Sequence, residues 1–584
     1  MVSFDIMELE SLNADLNIDG KPYEVCLNSR VLTWDGLESR HTDEERTLSL
    51  DWPEQALFSV ENHGFEGSHG RPVNRVRITE IIAVNIGTKP TDKSSQGSSS
   101  SSEFTVHVVR RNKGNKWRLY AETFVCPDTA AAQKWVKQIQ NHIDQGPVRP
   151  HRILVIVNPY GGKGKAPKIY QKKVAHIFEL AGISTEVIET ERANHAWQLM
   201  LDKNLDGFDG IVCVGGDGTF AEVVNGLLLR TQQDAGIDYN DQRSKLIPPK
   251  LKIGIIPAGS TDVVVYDTTG YNDPVTSALQ IVLGENLGMD VCSVFHDDKL
   301  MRYTVSFLGY GFFGDVVRES ENYRWFGPKR YELAGAMQFV GNKSYHGEVR
   351  YVPSVDEGHS PMDQKPCGAR CNICSQKKTS IDVNNEQAEE EVEEKAIALD
   401  QPDHDNWKSI KGEFMYVNAA LVSGMCDKSP TGVSPAAHLG NGCVDLIIVR
   451  KCSRINYLRH LMRLSSSANH FDFNFVEVKR VKKFKFRPLT PNESSPNPMY
   501  NSTLDNLDLE SNFFKRSSAK YRLPRSSSTT SSSSWNIDGE IGRLPAIDVN
   551  VHCQLINVFA RGIEQFDDTT SCNFCCKANK NHRC

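Results

Sequence analysis

The residues best suited to chemistry lie in one short stretch of the chain. An apolar strand at 211–214 leads into the sequence GGDGT at 215–219, and apolar positions compatible with a helix continue to Leu229. Glycines let the backbone approach a phosphate closely, and a helix start offers free N–H groups. Asp217 would repel a phosphate, so its presence makes sense if it handles a proton or a metal. The alternative is an ordinary turn in which Asp217 caps the helix.

Two further glycine-containing turns follow strands of the same predicted sheet. They are NPYGG at 158–162 and PAGSTD at 257–262, after strands at 153–157 and 252–256. Helices alternate with these strands, which predicts a parallel sheet with ligand sites at the carboxyl ends of its strands. Together the three turns would surround a nucleotide with backbone N–H groups and hydroxyls. The chain has no P-loop, protein kinase or dinucleotide motif.

Length and composition limit the classes of protein to consider. A chain of 584 residues should hold two to four domains, and a net charge of −6 argues against a general nucleic-acid partner. The first residues have neither a basic start nor an apolar segment, so we expect no signal peptide. No apolar run is long enough to predict a membrane span. We expect the fifteen cysteines to be reduced thiols in the cytosol.

Residues 21–145 read as a small β domain closed by a helix at 129–142. Strands are predicted at 23–27, 30–34, 57–60, 75–84, 104–110 and 116–125. This order, with Trp135 in the closing helix, resembles a pleckstrin-homology domain. Its basic residues either meet an anionic membrane surface or form a solvated hairpin: Arg110, Arg111, Lys113, Lys116 and Arg118.

The predicted fold class is α+β and multidomain. Residues 1–146 form the pleckstrin-like domain, 150–286 an α/β lobe, 287–565 a β-sandwich-like lobe with a helix at 331–340, and 566–584 a cysteine-rich tail. Insertions at 354–409 and 488–534 are predicted to be disordered, and serines in the second are candidates for phosphorylation.

The motifs of the α/β lobe resemble those of the diacylglycerol, sphingosine and ceramide lipid kinase superfamily. The resemblance covers about 150–350 and 411–560. It rests on NPYGGKGK from 158, ETERANHA from 189, GGDGTFAEVVNG from 215, PAGSTD from 257, and Asp538-Gly539-Glu540. It implies a two-lobe fold with the nucleotide bound between an α/β lobe and a β-sandwich lobe.

Two stretches are most similar to the ceramide kinase family within that superfamily. Residues 309–331 resemble the sphingoid-lipid site, and the CxxxCxxC sequence at 367–374 resembles a motif particular to ceramide kinases. A plant-type member is expected. One departure is PAGSTD where relatives often read GTGN, which leaves the roles of Ser260 and Asp262 open.

The resemblance implies a role for each matching residue. Asp217 would be the base that accepts the proton of the attacking hydroxyl, with Glu540 as second choice. Asp538 would hold Mg²⁺. The expected ATP contacts are Asn158, Pro159, Tyr160, Gly161, Gly162, Thr190, Gly216, Gly218, Thr219, Ser260, Thr261, Asp538, Gly539 and Glu540. The expected lipid contacts are Gly215, Gly216, Asp217, Gly218, Glu222 and Asp315. For Glu222 the alternative is a solvated helix acid, and for Asp315 a cap or a salt bridge to Arg318.

Three cysteine-rich or basic segments keep two interpretations each. Cys367, Cys371 and Cys374 would bind zinc with a fourth ligand such as His359 or His404, or act as redox-sensitive thiols. The tail cysteines from 572 onward would be acylated or part of a disordered tail. The basic stretch 450–464 would contact calmodulin or a membrane, or pack as a helix in the second lobe.

The function that the resemblance implies is transfer of the γ-phosphate of ATP to the primary hydroxyl of ceramide. Mg²⁺ is implied by the chemistry and Ca²⁺ stimulation by the family alone. The expected location is cytoplasmic and peripheral on endomembranes, such as the Golgi or endoplasmic reticulum, or on the plasma membrane. The alternatives are a sphingosine or diacylglycerol kinase and, from another class, a catalytically inactive lipid-binding scaffold.

Overall fold

A computed structural model describes residues 11–37, 65–66, 72–87, 101–112, 116–162, 164–354, 360–363, 365–377, 406–490 and 532–564. Strands β1 to β22 are Leu12–Ile18, Lys21–Leu27, Val31–Gly36, Phe65–Glu66, Pro72–Arg77, Ile81–Ile86, Glu103–Asn112, Lys116–Val125, Arg152–Val157, Ser184–Glu189, Gly210–Gly215, Lys252–Pro257, Leu287–His296, Lys299–Thr304, Phe307–Gly311, Tyr345–Pro353, Lys408–Ala420, Val444–Arg450, Val476–Pro488, Trp535–Ile537, Glu540–Gly542 and Ile547–Val558.

Helices α1 to α10 are Thr129–Asp144, Ala166–Ile169, Ala175–Leu180, His195–Asp202, Asp217–Asp234, Val263–Thr269, Pro274–Val282, Phe312–Ser320, Arg330–Gly341 and Arg454–Leu464. A π-helical turn, Tyr170–Val174, links α2 to α3, and 3₁₀ segments cover Ile78–Glu80 and Glu321–Lys329. No helix among the described residues is long and apolar enough to cross a membrane.

The chain divides into two compact units. The first contains Met1–His151, Lys172–Ser184 and Val275–Glu285, and the second contains the rest. In the first unit, eight strands form one sheet in the order β4-β5-β3-β2-β1-β8-β7-β6. Helix α1 begins at Asp128, whose side chain accepts a hydrogen bond from Ala131 N, and buries Trp135 against Phe104. This is the predicted β domain with its closing helix.

The second unit is built on one sheet of fourteen strands. Its order is β10-β9-β11-β12-β22-β19-β16-β17-β15-β20-β21, and β13, β14 and β18 pair off this path. The pairs β9–β11, β11–β12 and β12–β22 are parallel, and the strands from β22 to β21 pair antiparallel. The parallel strands β9 and β11 are buried along nearly their whole length, as expected of apolar strands covered on both faces. The α/β and β-rich parts therefore both contribute to the core around this sheet.

The structure corrects several predicted elements. Strand β1 was missed, although Leu12, Ala14, Leu16 and Ile18 alternate with Asn and Asp in the pattern of a half-buried strand. The predicted strand at 75–84 is broken by the 3₁₀ segment at 78–80, and the strand predicted at 302–308 is split into β14 and β15. Strand β16 and the short strands β20 and β21 were also missed, as was helix α6. The strand predicted at 57–60 lies outside the described residues.

Two predicted binding segments make some contacts within the chain. Arg110 pairs with Glu122 at 2.7 Å and Arg111 with Glu80 at 2.8 Å, while Lys113 lies outside the described residues. The basic stretch 450–464 contains helix α10, which buries Tyr457, as the packed-helix interpretation expects. The tail cysteines, most of the 488–534 insertion and residues 378–405 lie outside the described residues.

Candidate active site

The three glycine turns meet at one edge of the parallel sheet. Val214 of β11 lies beside Val157 of β9, and Gly215 lies beside Pro257 of β12, so the following loops start at the same level. Asn158 joins two of them, because its Nδ2 donates to Thr219 Oγ1 at 2.8 Å. The predicted convergence of the loops is thus present in the fold.

The glycines of these loops are required by how closely the backbones approach. Gly162 has φ +57°, and a Cβ there would lie 2.4 Å from the carbonyl oxygen of Ala258. A Cβ on Gly259 would lie 2.6 Å from Gly216 Cα. Such contacts leave no room for a side chain, so the loops form a continuous glycine-lined surface that a phosphate could approach.

Asp217 begins helix α5, and its carboxylate spans to the start of helix α6. Oδ2 accepts a hydrogen bond from Val263 N at 3.1 Å and Oδ1 from Val264 N at 2.9 Å. Burial raises the pKa of Asp217 above its usual range, and the negative charge of Asp538 raises it further, against these hydrogen bonds. The carboxyl is therefore held in place with an affinity for protons above that of a solvated aspartate.

Asp262 is a second acid at this edge, and sequence reasoning did not assign it a role. It precedes α6 with φ 55°, and its Oδ1 accepts a hydrogen bond from Gly259 N at 2.9 Å. Burial and the charge of Asp217 raise the pKa of Asp262 to about 7. The signal that could have found it is its place in PAGSTD, directly before a helix start.

The segment around 538 returns to this region from far along the sequence. Asn225 of α5 donates to Tyr303 O at 2.8 Å and accepts from Tyr303 N at 2.7 Å, which ties α5 to strand β14. The turn after β14 then holds Asp538, whose Oδ1 accepts hydrogen bonds from Ser306 N, Ser306 Oγ and Phe307 N at 3.0, 2.7 and 3.0 Å. Asp538 Oδ2 accepts from Val305 N at 2.9 Å. Asp538 is close enough to Asp217 for its negative charge to contribute to the raised pKa of Asp217.

Glu540, the second choice for the base, is engaged elsewhere. Its Oε2 pairs with Arg302 Nη1 at 2.7 Å, and its side chain is 39% exposed. Glu222 accepts a hydrogen bond from Asn194 N at 3.1 Å, so it caps the start of helix α4. The carboxylates of Glu540 and Glu222 therefore both have hydrogen-bond or ion-pair partners within the protein. Their predicted roles, as base and as lipid contact, stay predictions.

The remaining residues predicted to contact ATP divide into two groups. Tyr160, Gly218, Ser260 and Thr261 are exposed around the glycine-lined surface, where a ligand could reach them. Thr190 and Thr219 are buried, and Thr190 N donates to Val157 O at 2.8 Å. The first group is therefore placed for direct contact, and the second for holding the loops.

Asp315 lies in a different part of the second unit. The carboxylate is buried in helix α8 and is bound by Arg318 at 2.6 Å, by Ser533 Oγ at 2.8 Å and by the Tyr345 hydroxyl. It stands near the Gly311 end of β15, whereas Asp538 stands at the Phe307 end. Five residues of strand separate the two ends, about 13 Å. The structure thus shows the salt bridge to Arg318 and places Asp315 and Asp538 at opposite ends of β15.

A cavity of about 270 Å³ lies elsewhere, among Asp267, Ser423, Leu439, His470 and Ile563. None of the residues predicted to contact ATP or lipid lines it. Burial raises the pKa of Asp267 to about 7, with Ser423 and Gly424 donating hydrogen bonds to it. The cavity therefore does not coincide with the predicted ATP and lipid contacts.

The three cysteines of the CxxxCxxC motif come together beside a histidine that the sequence analysis does not name. The histidine beside them is His438, whose Nδ1 lies 3.3 Å from Cys371 Sγ. His359 and His404, the fourth ligands suggested from the sequence, lie outside the described residues. His438 follows the insertion in the sequence, and no spacing within the insertion points to it.

Comparison with known proteins agrees with this geometry. The profile of the diacylglycerol kinase catalytic domain matches residues 152–294, that of the ceramide kinase PH domain 12–139, and that of the ceramide kinase C-terminal domain 370–576. Fold and site define an ATP-dependent lipid kinase. Human ceramide kinase is 44% identical over 510 residues, which cover 85% of this chain and 91% of the human protein. The chain belongs to the ceramide kinase family.

Other relatives add detail. Ceramide kinase of Arabidopsis thaliana is 31% identical and covers 79% of this chain and 81% of its own length, so the expectation of a plant-type member gains no support. A crystal structure of a putative diacylglycerol kinase from Bacillus anthracis is 14% identical, with a TM-score of 0.42, and covers 71% of this chain and 98% of that one.

Proposed function

We propose that this protein transfers the γ-phosphate of ATP to the primary hydroxyl of ceramide, giving ceramide 1-phosphate. The observation that carries the proposal is the placement of Asp217 beside the glycine-lined edge of the sheet, in a chain whose relatives are named ceramide kinases. Phosphoryl transfer needs positioned phosphates, neutralised charge and a base for the attacking hydroxyl. This edge of the sheet offers a surface that can position the phosphates and a carboxylate that can act as the base.

Asp217 is the proposed base. Each of its oxygens accepts one backbone hydrogen bond, so each keeps a lone pair that can receive the proton of a primary alcohol. Val263 N and Val264 N fix the carboxylate at the start of α6, while burial raises its pKa toward that of a useful base. The glycines at 216, 218 and 259 let phosphate oxygens come close to it.

Mg²⁺ fits this acidic edge as an ion bound together with ATP. Mg²⁺ in kinases is held by one or two carboxylates and by substrate phosphates rather than by an all-protein cage. Asp262 supplies a buried carboxylate whose pKa is raised, and it is not paired with a cationic side chain among the described residues. Asp538 fits less well, because its two oxygens already accept four hydrogen bonds. When bound, Mg²⁺ would neutralise phosphate charge.

Asp315 is proposed to bind the polar part of the lipid, the role that the family resemblance implies. Its carboxylate is oriented by Arg318 and Ser533. Arg318 is 42% exposed, so the pair is reachable from solvent on one side. The alternative, a purely structural ion pair, involves the same contacts. The KM for ceramide of an Asp315 variant distinguishes the two interpretations.

Membrane association is proposed for two apolar stripes on touching helices. Helix α9 exposes Met337 and Val340, the latter at 69%, and α10 exposes Ile455 at 73% and Met462 at 60%. The helices meet where the rings of Phe339 and Tyr457 stack. Apolar side chains exposed on neighbouring helices are typical of surfaces that enter a lipid interface. We expect Ile455→Asp to reduce vesicle sedimentation, with Ile247→Asp, at an exposed site elsewhere, as control.

The test of the proposed activity is a lipid panel with radiolabelled ATP in mixed micelles. Ceramide should be phosphorylated much faster than sphingosine or diacylglycerol, and chelation of divalent ions should stop the reaction. Faster labelling of sphingosine would make the protein a different lipid kinase, and no labelling of any lipid would favour the inactive scaffold. Ca²⁺ stimulation, calmodulin binding to α10 and the choice of membrane stay predictions for the same preparation.

A further inference from the structure

Four side chains of the second unit place their metal-binding atoms together. The Sγ atoms of Cys367, Cys371 and Cys374 and a ring nitrogen of His438 all lie within 4.8 Å of one another. Cys367 and Cys374 are 3.8 Å apart at sulfur, and Cys371 Sγ lies 3.3 Å from His438 Nδ1. It is the one such group of His, Cys, Asp and Glu found in the described part of the chain.

These spacings are those of the edges of a zinc tetrahedron. Zinc binds thiolate sulfur at about 2.3 Å and imidazole nitrogen at about 2.0 Å, which gives sulfur–sulfur edges of roughly 3.8 Å and sulfur–nitrogen edges of roughly 3.5 Å. We propose that Cys367, Cys371, Cys374 and His438 bind one zinc ion. Three cysteines and one histidine form a common ligand set of closed structural zinc sites. With four protein ligands, no position remains for substrate.

The arrangement fits zinc better than a disulfide. Bonded sulfurs lie about 2.05 Å apart, so the 3.8 Å between Cys367 and Cys374 is too long for a bond, and a pair would leave Cys371 beside a histidine. His438 is 2% exposed, and its Nε2 has no hydrogen-bond partner among the described residues. A proton on Nε2 leaves the Nδ1 lone pair directed at the sulfurs, as a metal ligand requires.

The site would fasten an insertion to the body of the second unit. Cys371 precedes a short helix at 372–377, and Gln554 of β22 donates both to Cys374 O and to Gly440 O at 2.8 Å. Ala369 N donates to Ile563 O at 2.7 Å. Residues 365–377 have little apolar surface of their own, so a metal would supply the stabilisation that a small core cannot.

The same segment is linked to helix α6, whose first N–H groups donate hydrogen bonds to the Asp217 carboxylate. Gly562 N donates to Thr268 O at 3.1 Å, and Thr268 lies in the last turns of α6. Gly562 in turn packs against Ala369, since a Cβ on Gly562 would lie 2.8 Å from Ala369 Cα. The zinc site therefore lies at the far end of the helix whose first N–H groups bind the proposed base. We expect loss of zinc to lower stability and, through α6, activity.

The test is metal analysis of the full chain, purified without chelators. About one zinc per chain is expected, and it should fall to near zero in Cys371→Ser and in His438→Asn. His438→Cys should keep about one zinc, because a fourth thiolate replaces the imidazole. Cys553→Ser is the matched control: its sulfur lies 3.8 Å from Gly440 O beside the same loop but outside the ligand set, and it should keep full zinc.

The results that would overturn the proposal are direct. A folded wild-type chain with no bound zinc, or equal zinc in wild type and Cys371→Ser, contradicts it. If the ligand variants fail to fold, His438→Cys decides, because a redox or hydrogen-bonding role would not be rescued by a fourth thiol. Thermal unfolding with and without a zinc chelator gives a second readout, with a lower Tm expected only for chains that hold the metal. Neither readout depends on the proposed lipid substrate.

Discussion

Asp315 is a buried acid and Asp217 a partly buried one, and the structure surrounds them differently. Asp315 is bound by a guanidinium, a phenol and a serine hydroxyl, so its charge is compensated. Asp217 receives only backbone N–H groups among the described contacts, and its charged neighbours, Asp262 and Asp538, are acids. A carboxylate paired with a cationic group can stabilise the local fold or bind a ligand. A carboxylate near other acids is stabilised when it binds a proton or a cation.

The largest expected effect is that of Asp217→Asn. The amide is a poor base, so kcat should fall by about 10²–10⁴-fold, the usual contribution of a general base. Initial rates at saturating ceramide and ATP measure it. Asp290→Asn is the matched control, because Asp290 is buried and likewise accepts two backbone hydrogen bonds, from Gly442 N at 2.6 Å and Gln554 N at 2.7 Å. Equal losses in both variants would mean that Asp217 acts only through folding.

A smaller effect, of a different kind, is expected for Asp315→Asn. If Asp315 binds the lipid, the KM for ceramide should rise about ten- to a hundredfold while kcat changes little, since a hydrogen bond to a charged group contributes about 1.5–3 kcal/mol. Kinetics over a range of ceramide concentrations separate the two constants. Glu477→Gln, which weakens the partly exposed pair with Arg450, is the control. A fall in kcat matching that of Asp217→Asn would remove the contrast between the two acids.

Asp262→Asn should change how stability depends on pH. The folded-state pKa of Asp262 is raised to about 7, so the stability that its protonated form contributes is complete below about pH 4 and is lost as the pH rises through 7. A neutral asparagine avoids that loss, by no more than about 4 kcal/mol. The gain in Tm should therefore be larger at pH 8 than at pH 5. Asp241→Asn, at an exposed site, should show no such rise.

The smallest effect is expected for Glu540→Gln. The ion pair with Arg302 is partly exposed, so its loss should cost less than about 1 kcal/mol of stability. The value of kcat should stay within about threefold, as measured beside Asp217→Asn. A hundredfold loss would instead make Glu540 the base and would reverse the comparison.

Much of the nucleotide-binding edge could be predicted from the sequence. Strands at 152–157, 210–215 and 252–257 and the helix after Asp217 have strong apolar patterns, and each strand ends in a glycine turn. Helix α6 could not be predicted in this way. Its sequence, VVVYDTT, favours a strand, and its first turn is stabilised by the Asp217 carboxylate, which accepts hydrogen bonds from Val263 N and Val264 N. Here tertiary contacts override local propensity.

The sequence alone determined the elements whose signals are local: the order of strands and helices, the glycine turns, and the family resemblance that those turns carry. Only the tertiary structure decided which distant residues meet: Asp538 at the turn after β14, Ser533 at Asp315, and His438 at the cysteine motif. Periodicity reports which face of an element is buried, because neighbouring residues share that face. It does not report partners far away in the sequence, because chain closure and packing select those among many sterically similar choices.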